Sequence, residues 1–509
     1  MRGEKSTVGP PFLARNAFAW FGAPIVTAKL LEQGTSFMTA KTKSTGSRQG
    51  AIGRAEAYLD SGRFETELAR RVAIRTESQA LPASRAELDR YVAEEMIPSF
   101  ERLGFQCRTF DNPVAGQGPV LLATRIEDAK LPTVLGYGHG DVIRGQDQQW
   151  TRGKGPWTLA RDGDRLYGRG TADNKCQHTI NLAAMAAVMA ERGGKLGFNA
   201  KYIIEMAEET GSAGLDEIVL SNKDAFAATV LIASDGPRAT AARPTVVLGN
   251  RGALTFDLVC NLRQGGHHSG NWGGLLADPV VILSHAIASF VGPRGGLRLK
   301  AWLPPPIAPN IRAALRDVVI DGGDKAPAVD PAWGEPGLTG PEKVYAWNSF
   351  AVLAMIAGNP DAPVNAIAPF ARARCQLRYV VGTKVDEVLP ALRRHLDTQN
   401  LRNVAIVAVP EVGRFEATRT DPDHPWAKYV VDSFAETSNQ KPAVIPSSGG
   451  GVPNHLFQTG LGMPTIWIPH SYPGCSQHAP DEHILWPVAK SALRLMAGLY
   501  WDLGEGVPG

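Results

Sequence analysis

Short apolar runs alternate with helical stretches along this chain, and three of the runs lead into a histidine or a carboxylate. Residues 133–138 run into His139-Gly140-Asp141, residues 201–204 run towards the adjacent pair Glu208-Glu209, and residues 229–234 deliver Asp235. A fourth run, 465–469, precedes a loop that carries His478. Apolar runs of this length between helical segments read as buried parallel strands. Ligands of such sheets bind beyond the carboxyl ends of the strands. The pattern therefore predicts histidine and carboxylate side chains converging on one sheet edge, where a metal could sit.

The helical pattern fills the intervals. Residues 51–60 and 63–74 have helical spacing, and Ser84 with Glu87 three residues on makes a capping-box pattern for a helix running to about Leu103. Residues 177–192 are Ala-rich and apolar on most faces, with Gly193-Gly194 as a stop, which predicts a well-buried helix. After Arg243 the pattern changes. Residues 245–260 read as one long strand-like stretch broken at Gly249-Asn250-Arg251-Gly252, followed by a helix over 279–290 and a Pro/Gly-rich passage from 292 to 341. A strand over 372–381, a helix over 384–399 and a strand over 404–409 complete a small α+β sheet with helices on one face. From Asp421 the first pattern resumes and ends in a helix over 486–501. The fold class is α/β: an α/β/α catalytic domain built from 49–243 and 418–509, with an α+β domain, 244–417, inserted into it.

Bulk properties narrow the function. The 509 residues exceed what one core organises, so two or three domains are expected. A net charge of +3 leaves no basic stripe, so no nucleic-acid partner is implied. Five dispersed cysteines form no CxxC pair, which argues against a disulfide framework or a cysteine zinc site and suits a reducing, cytoplasmic setting. No stretch is long and apolar enough to span a bilayer, so no membrane partner is implied. Residues 1–48 read as a disordered leader or a misassigned start, since Met38 opens a polar stretch before the first convincing helix. The basic start and short apolar centre near 17–28 also fit a weak export signal, although Pro24 interrupts it.

Each candidate residue has a plain alternative. In His139-Gly140-Asp141 both side chains share one side of an extended segment. One can bind metal while the carboxylate accepts the other imidazole N–H, or the tripeptide can be structural. Asp173, in Gly170-Thr171-Ala172-Asp173-Asn174-Lys175, can bridge two metals or cap the helix that follows. Glu208 and Glu209 are costly to desolvate together unless a cation compensates. Glu209 binding metal while Glu208 serves as general base would resolve that cost, as would a solvated acidic turn.

Taken in order, these segments, with Asp235, His268-Ser269-Gly270 and His478-Ala479-Pro480-Asp481-Glu482, resemble the M20 family of dinuclear zinc peptidases and amidohydrolases, nearest its carnosine-dipeptidase branch. The resemblance implies two divalent cations per chain, zinc first, with manganese and cobalt also suited to the donors. It implies that His139 and Asp235 hold one cation, Glu209 and His478 the other, and that Asp173 bridges them. Glu208 would be the base and Asp141 would orient His139. The inserted domain would be a lid that also forms a homodimer, sending His268 into the partner's site to stabilise the oxyanion. Arg378 and Asn365 would be lid contacts to substrate, Arg378 clamping a carboxylate; without the resemblance Arg378 reads as a surface-strand arginine. The turn 448–453, with Gly450 and Gly451, would be a substrate loop. Two departures stand out: Gly266-His267 precedes His268 where the family has Asp-Leu, and Gly451 stands where it has Ser. The implied activity is hydrolysis of an amide bond in a small carboxylate-bearing substrate such as a dipeptide. An N-acyl- or N-carbamoyl-amino-acid amidohydrolase and a non-catalytic binding protein on the same fold are the alternatives.

Overall fold

The computed structural model describes residues 46–323, 326–409 and 415–508. The leader expected over 1–48 lies outside the described residues as far as 45. The first helix, Arg48–Asp60, starts three residues before the predicted position, because Ser47 caps it by accepting the Gly50 N–H at 3.0 Å.

Among the described residues the largest sheet has eight strands. Its order is Gln106–Phe110, Val120–Arg125, Asn199–Glu205, Thr133–His139, Val230–Ala233, Thr465–Trp467, Thr245–Val247 and Ala443–Ile445. The four strands predicted to deliver the site, which end at Glu205, His139, Ala233 and Trp467, are contiguous and mutually parallel. Their carboxyl ends share one edge, as the pattern required. The sheet is nevertheless mixed: Val120–Arg125 runs antiparallel to Asn199–Glu205, and Thr465–Trp467 meets Thr245–Val247 antiparallel.

Both faces are buried. On one side Val134, Tyr202, Ile204, Ile232 and Ile466 pack against helices Arg48–Asp60, Lys175–Glu191 and Trp486–Glu505. On the other, Leu135, Tyr137, Ile203, Leu231 and Trp467 pack against Leu215, Ile311 and Leu456. Each such side chain contributes ~1.5–3 kcal/mol on leaving water, so a strand buried on both faces reads as a continuous apolar run. Lys175–Glu191 is buried on nearly every face, and Gly193 and Gly194 end it at φ 65° and 92°. Gly136 is required by close approach, since a Cβ there would meet the Tyr202 ring.

The capping box expected at Ser84 does not form. Its hydroxyl donates to the Glu77 carbonyl at 2.6 Å, and its own backbone is already helical. The helical path from Arg85 to Glu101 widens into a π-helical segment over Tyr91–Met96, which carries Tyr91 to His178 at 2.6 Å.

The long stretch over 245–260 is three pieces. Thr245–Val247 belongs to the large sheet, Gly249–Asn250 pairs with Thr418–Arg419, and Gly252–Asn261 enters a second sheet. The two chain crossings between the sheets therefore run side by side. Thr418 Oγ1 donates to Asn250 Oδ1 at 2.7 Å, and Asn250 Nδ2 donates to the Glu416 carbonyl at 3.0 Å. The second sheet is antiparallel, in the order Ser349–Ile356, Phe370–Tyr379, Gly252–Asn261, Val404–Ala408. Helices Pro279–Phe290 and Val385–Thr398 cover one face, closing a core of Phe256, Leu258, Phe290, Trp302, Leu377 and Leu392. Among the described residues no helix is long and apolar enough to cross a membrane.

Candidate metal centre

The parallel strands deliver their ligands to one point. His139 ends its strand fully buried, and its Nε2 lies 2.8 Å from Asp173 Oδ1 and 3.9 Å from Asp235 Oδ2. Asp173 Oδ2 lies 3.0 Å from His478 Nε2, which is also 3.0 Å from Glu209 Oε2. Two triads result, His139–Asp173–Asp235 and Asp173–Glu209–His478, each with its donor atoms within 4.8 Å of one another. Asp173 belongs to both and offers a different oxygen to each histidine, the arrangement a bridging carboxylate needs.

Charge decides what such a cluster can hold. Asp141, Asp173, Glu208, Glu209 and Asp235 crowd together, and among the described residues the ion pairs of this group are with histidines rather than Lys or Arg. Burial, with the Asp173 charge adding, pushes Glu209 up to about 7 and Asp235 up to about 6. Loss of water likewise holds Glu208 well above the usual carboxylate range. Burial also acts upward on Asp173, but hydrogen bonds from His139 and His478 outweigh it and hold that carboxyl well below the range. Hydrogen bonds to Asp173 and then Glu209 push His478 up to about 11. Buried carboxylates in such surplus call for cations, and a His/carboxylate donor set is what zinc, manganese and cobalt accept. The residues present therefore fit a pair of divalent cations.

A profile of peptidase family M20/M25/M40 matches residues 135–502, a span that contains both triads. The chain belongs to peptidase family M20/M25/M40. It is thus a hydrolase of the metallopeptidase class. β-Ala-His dipeptidase of Mus musculus is 36% identical over 180 residues, 35% of this chain and 36% of that protein. Cysteinylglycine-S-conjugate dipeptidase of Corynebacterium striatum is 26% identical over 383 residues, 72% of this chain and 79% of that protein. The crystal structure of human carnosine dipeptidase 1 shares the fold, with a TM-score of 0.67 at 22% identity over 90% of this chain and all of that one.

Around this M20 centre the remaining expected residues fall into two groups. A cavity of about 540 Å³ opens on the metal edge, and Asp173, Glu208, Asp235, His478, Arg378, Gly450 and Gly451 all line it, with Val247, Val452 and Trp467 forming an apolar wall. Gly451 has no room for a side chain because Phe415 packs against it. His268 and Asn365 lie elsewhere, exposed on the short ribbon His267–His268 with Ala366–Ile367. His268 Nδ1 accepts the Gly270 N–H at 3.1 Å, and the Asn365 carbonyl accepts the Ser269 N–H at 2.9 Å.

Asp141 is placed as expected but bonds differently. His139 Nδ1 reaches the Asp141 backbone carbonyl at 3.0 Å, nearer than its carboxylate at 3.4 Å. The carboxylate instead accepts the N–H groups of Glu208 and Glu209, both at 3.1 Å, and so fixes the 3₁₀ turn Glu208–Thr210. One residue thereby touches His139 and holds the backbone of both glutamates.

The resemblance implies no role for Glu482, although its segment is part of the matching motif. Its buried Oε1 accepts the N–H groups of Gly170, Ala172 and Asp173 at 3.0, 2.8 and 3.1 Å, while Oε2 takes Arg169 Nη1 at 2.6 Å. This carboxylate holds the Asp173 loop in shape. Gln477 Nε2 donates to Asp173 Oδ2 at 2.5 Å, and Asn174 Nδ2 ties that loop to the Ser234 carbonyl at 2.8 Å. The strand His483–Leu485, paired to Arg165–Tyr167, anchors the far end of the His478 loop. Glu482→Ala leaves three N–H groups without their acceptor and the buried Arg169 guanidinium without its carboxylate, with the Arg144 and Gly145 carbonyls still accepting from Nη2. It is expected to destabilise the protein by ~3–5 kcal/mol, read as a lowered urea midpoint at unchanged slope.

Proposed function

We propose that the protein is a metal-dependent dipeptidase that cleaves the amide bond of a small substrate bearing a carboxylate. The observation that carries this reading is the division of Asp173's two oxygens between His139 and His478 at the mouth of a cavity lined by Glu208 and Arg378. His139, Asp235 and Asp173 would hold one cation, and Glu209, His478 and Asp173 the other, with zinc preferred. Bound there, the pair lowers the pKa of water towards ~7 and polarises the substrate carbonyl. Glu208 takes the proton of the attacking water on its carboxylate and returns it to the leaving nitrogen, as a carboxylate of raised pKa does well. Asp141 holds Glu208 and Glu209 in register through their backbone. Arg378 offers a planar fork to the substrate carboxylate, and Gly450 and Gly451 belong to the turn that faces the substrate.

In this reading residues 244–417 form a lid and homodimer interface, and His268 of a second copy donates to the developing oxyanion, with Asn365 beside it. Their exposure on the chain's own surface is compatible with service in a partner's site. A cytoplasmic setting follows from the dispersed cysteines. The relatives named as dipeptidases favour peptides as substrates, while the apolar wall of Val247, Val452 and Trp467 favours a second reading, hydrolysis of N-acyl or N-carbamoyl amino acids. Metal-free protein reconstituted with zinc, manganese or cobalt and assayed against dipeptides and N-acyl amino acids tests both. Hydrolysis is expected for dipeptides, dependent on added metal. Turnover that survives chelation would remove the reading.

A further inference from the structure

Gln477 and His478 are consecutive, yet both side chains reach one atom. His478 Nε2 lies 3.0 Å from Asp173 Oδ2, and Gln477 Nε2 donates to the same oxygen at 2.5 Å. Neighbouring side chains on extended backbone point to opposite sides. Here the loop bends instead: Ser476 and His478 stand at φ 57° and 59°, in the left-handed region, and Asp481 stands at 62°. Residues with a side chain are uncommon there and keep such a conformation only where their surroundings over-determine it. The surroundings of this loop do so. The Cys475 N–H donates to the Tyr472 carbonyl at 3.1 Å and the His483 N–H to the Cys475 carbonyl at 3.0 Å, while the Asp481 carboxylate accepts the N–H groups of Thr151 and Arg152, both at 2.8 Å.

The two oxygens of Asp173 are held unequally. Oδ1 lies 2.8 Å from His139 Nε2, and His139 is fully buried at the end of its strand. Oδ2 faces His478, whose side chain is 52% exposed and sits on a loop. A carboxylate oxygen has two lone pairs. On Oδ2 the Gln477 amide takes one and leaves the other for a cation shared with Glu209 and His478. With Oδ1 held by His139, loss of that amide would let Oδ2 swing, and the triad Asp173–Glu209–His478 would lose a fixed donor. A neutral amide suits the task. Glutamate at 477 would repel Asp173, and lysine would compete with the cation. Gln477 also lines the cavity beside Asp173 and His478.

We propose that Gln477 is a positioning residue of the metal centre: it holds Asp173 Oδ2 in place and so strengthens the cation site of Asp173, Glu209 and His478 in preference to that of His139, Asp173 and Asp235. This rests on the two-cation reading above and adds to it the residue that sets the affinity of one site.

Competition for zinc between the metal-free full-length protein and a chromophoric chelator reads the two affinities directly, without turnover. Gln477→Met keeps the length of the side chain and removes its donor. It is expected to weaken one cation about 10–100-fold, the span typical of residues that orient metal ligands, and to leave the other within about threefold. Two backgrounds identify the site. The loss is expected on Asp235→Ala, where Glu209 and His478 hold the remaining cation, and not on Glu209→Ala. Unchanged affinities in Gln477→Met overturn the proposal, as does a loss confined to the Glu209→Ala background. Equal weakening of both cations together with a lowered melting temperature of the metal-free protein also overturns it, since a merely structural role gives that result. A parent that takes up no more than one cation removes the two-cation reading itself, and this assignment with it. A parent that takes up two leaves Gln477 alone in question.

Discussion

Glu208→Gln is expected to lower kcat about 10³-fold, within the span that general acid–base groups contribute, with metal content unchanged. The substitution keeps shape and removes only the capacity to take a proton. Glu208 lines the cavity beside Asp173 and Asp235, while its backbone is held by Asp141 Oδ1 at 3.1 Å. The turn therefore has no reason to move when the side chain changes. Its carboxyl is held well above the usual range by loss of water, and the carboxylates of Asp235, Glu209 and Asp173 add to that rise against the pull of His139. Such a group is a stronger base than an exposed glutamate and keeps the proton it takes until the leaving nitrogen accepts it, so one side chain would serve both halves of the reaction. Steady-state kinetics with metal analysis on the same preparation decide the matter. Parent-like kcat in a fully loaded variant would mean that another group moves the proton. A large loss accompanied by lost metal would place Glu208 among the ligands.

The positions of His139, Glu209, Asp235 and His478 were legible in the sequence for a physical reason. A parallel strand buried on both faces must be apolar along its length, so the sequence shows where it ends; His139 stands at such an end, and the loops carrying Asp235, Glu209 and His478 leave the strands at that same edge, where ligands bind. Thr133–His139 and Val230–Ala233 are strands of that kind. The direction of the outer strands was not legible. Val120–Arg125 has the same apolar character as its neighbours, but pairing direction is set by the path of the chain rather than by composition. The break within 245–260 was marked by its glycines, yet nothing local said that Thr245–Val247 would stay in the large sheet. That depends on Ala443–Ile445, some two hundred residues on, lying parallel beside it.

Residues that act through others were the hardest to see. Glu482 and Asn174 touch backbone groups brought near by the fold, and a glutamate that caps a distant loop looks like any other glutamate in sequence. Ser84 shows the converse. Its capping pattern was sound locally and lost to a carbonyl seven positions earlier in the chain. His268 and Asn365 belong to the motif that carries the family resemblance, yet the fold leaves both exposed and away from the cavity that His139 and His478 share, which no local pattern foretold.

Removing Asp173 is the sharper test of the metal centre, and Asp173→Ala is expected to lose both cations together. Its Oδ1 faces His139 Nε2 at 2.8 Å and its Oδ2 faces His478 Nε2 at 3.0 Å, so each triad shares this residue and each is reduced to two protein donors without it. Glu209→Ala and Asp235→Ala touch one triad each and are expected to spare the other. In the parent, cation bound at 100 times its Kd adds about 2.7 kcal/mol to stability for each independent site. Chelation should therefore lower the parent's melting temperature, all the more because it exposes Glu208, Glu209 and Asp235 to one another. The same chelator should leave Asp173→Ala nearly unchanged, since that variant has little metal to lose and one buried carboxylate fewer. Metal analysis after dialysis gives the direct reading: about two equivalents in the parent, about one in Glu209→Ala and Asp235→Ala, and close to none in Asp173→Ala. An Asp173→Ala protein that keeps one cation at full occupancy would separate the two triads. The shared-carboxylate chemistry drawn from this geometry would then have to be given up.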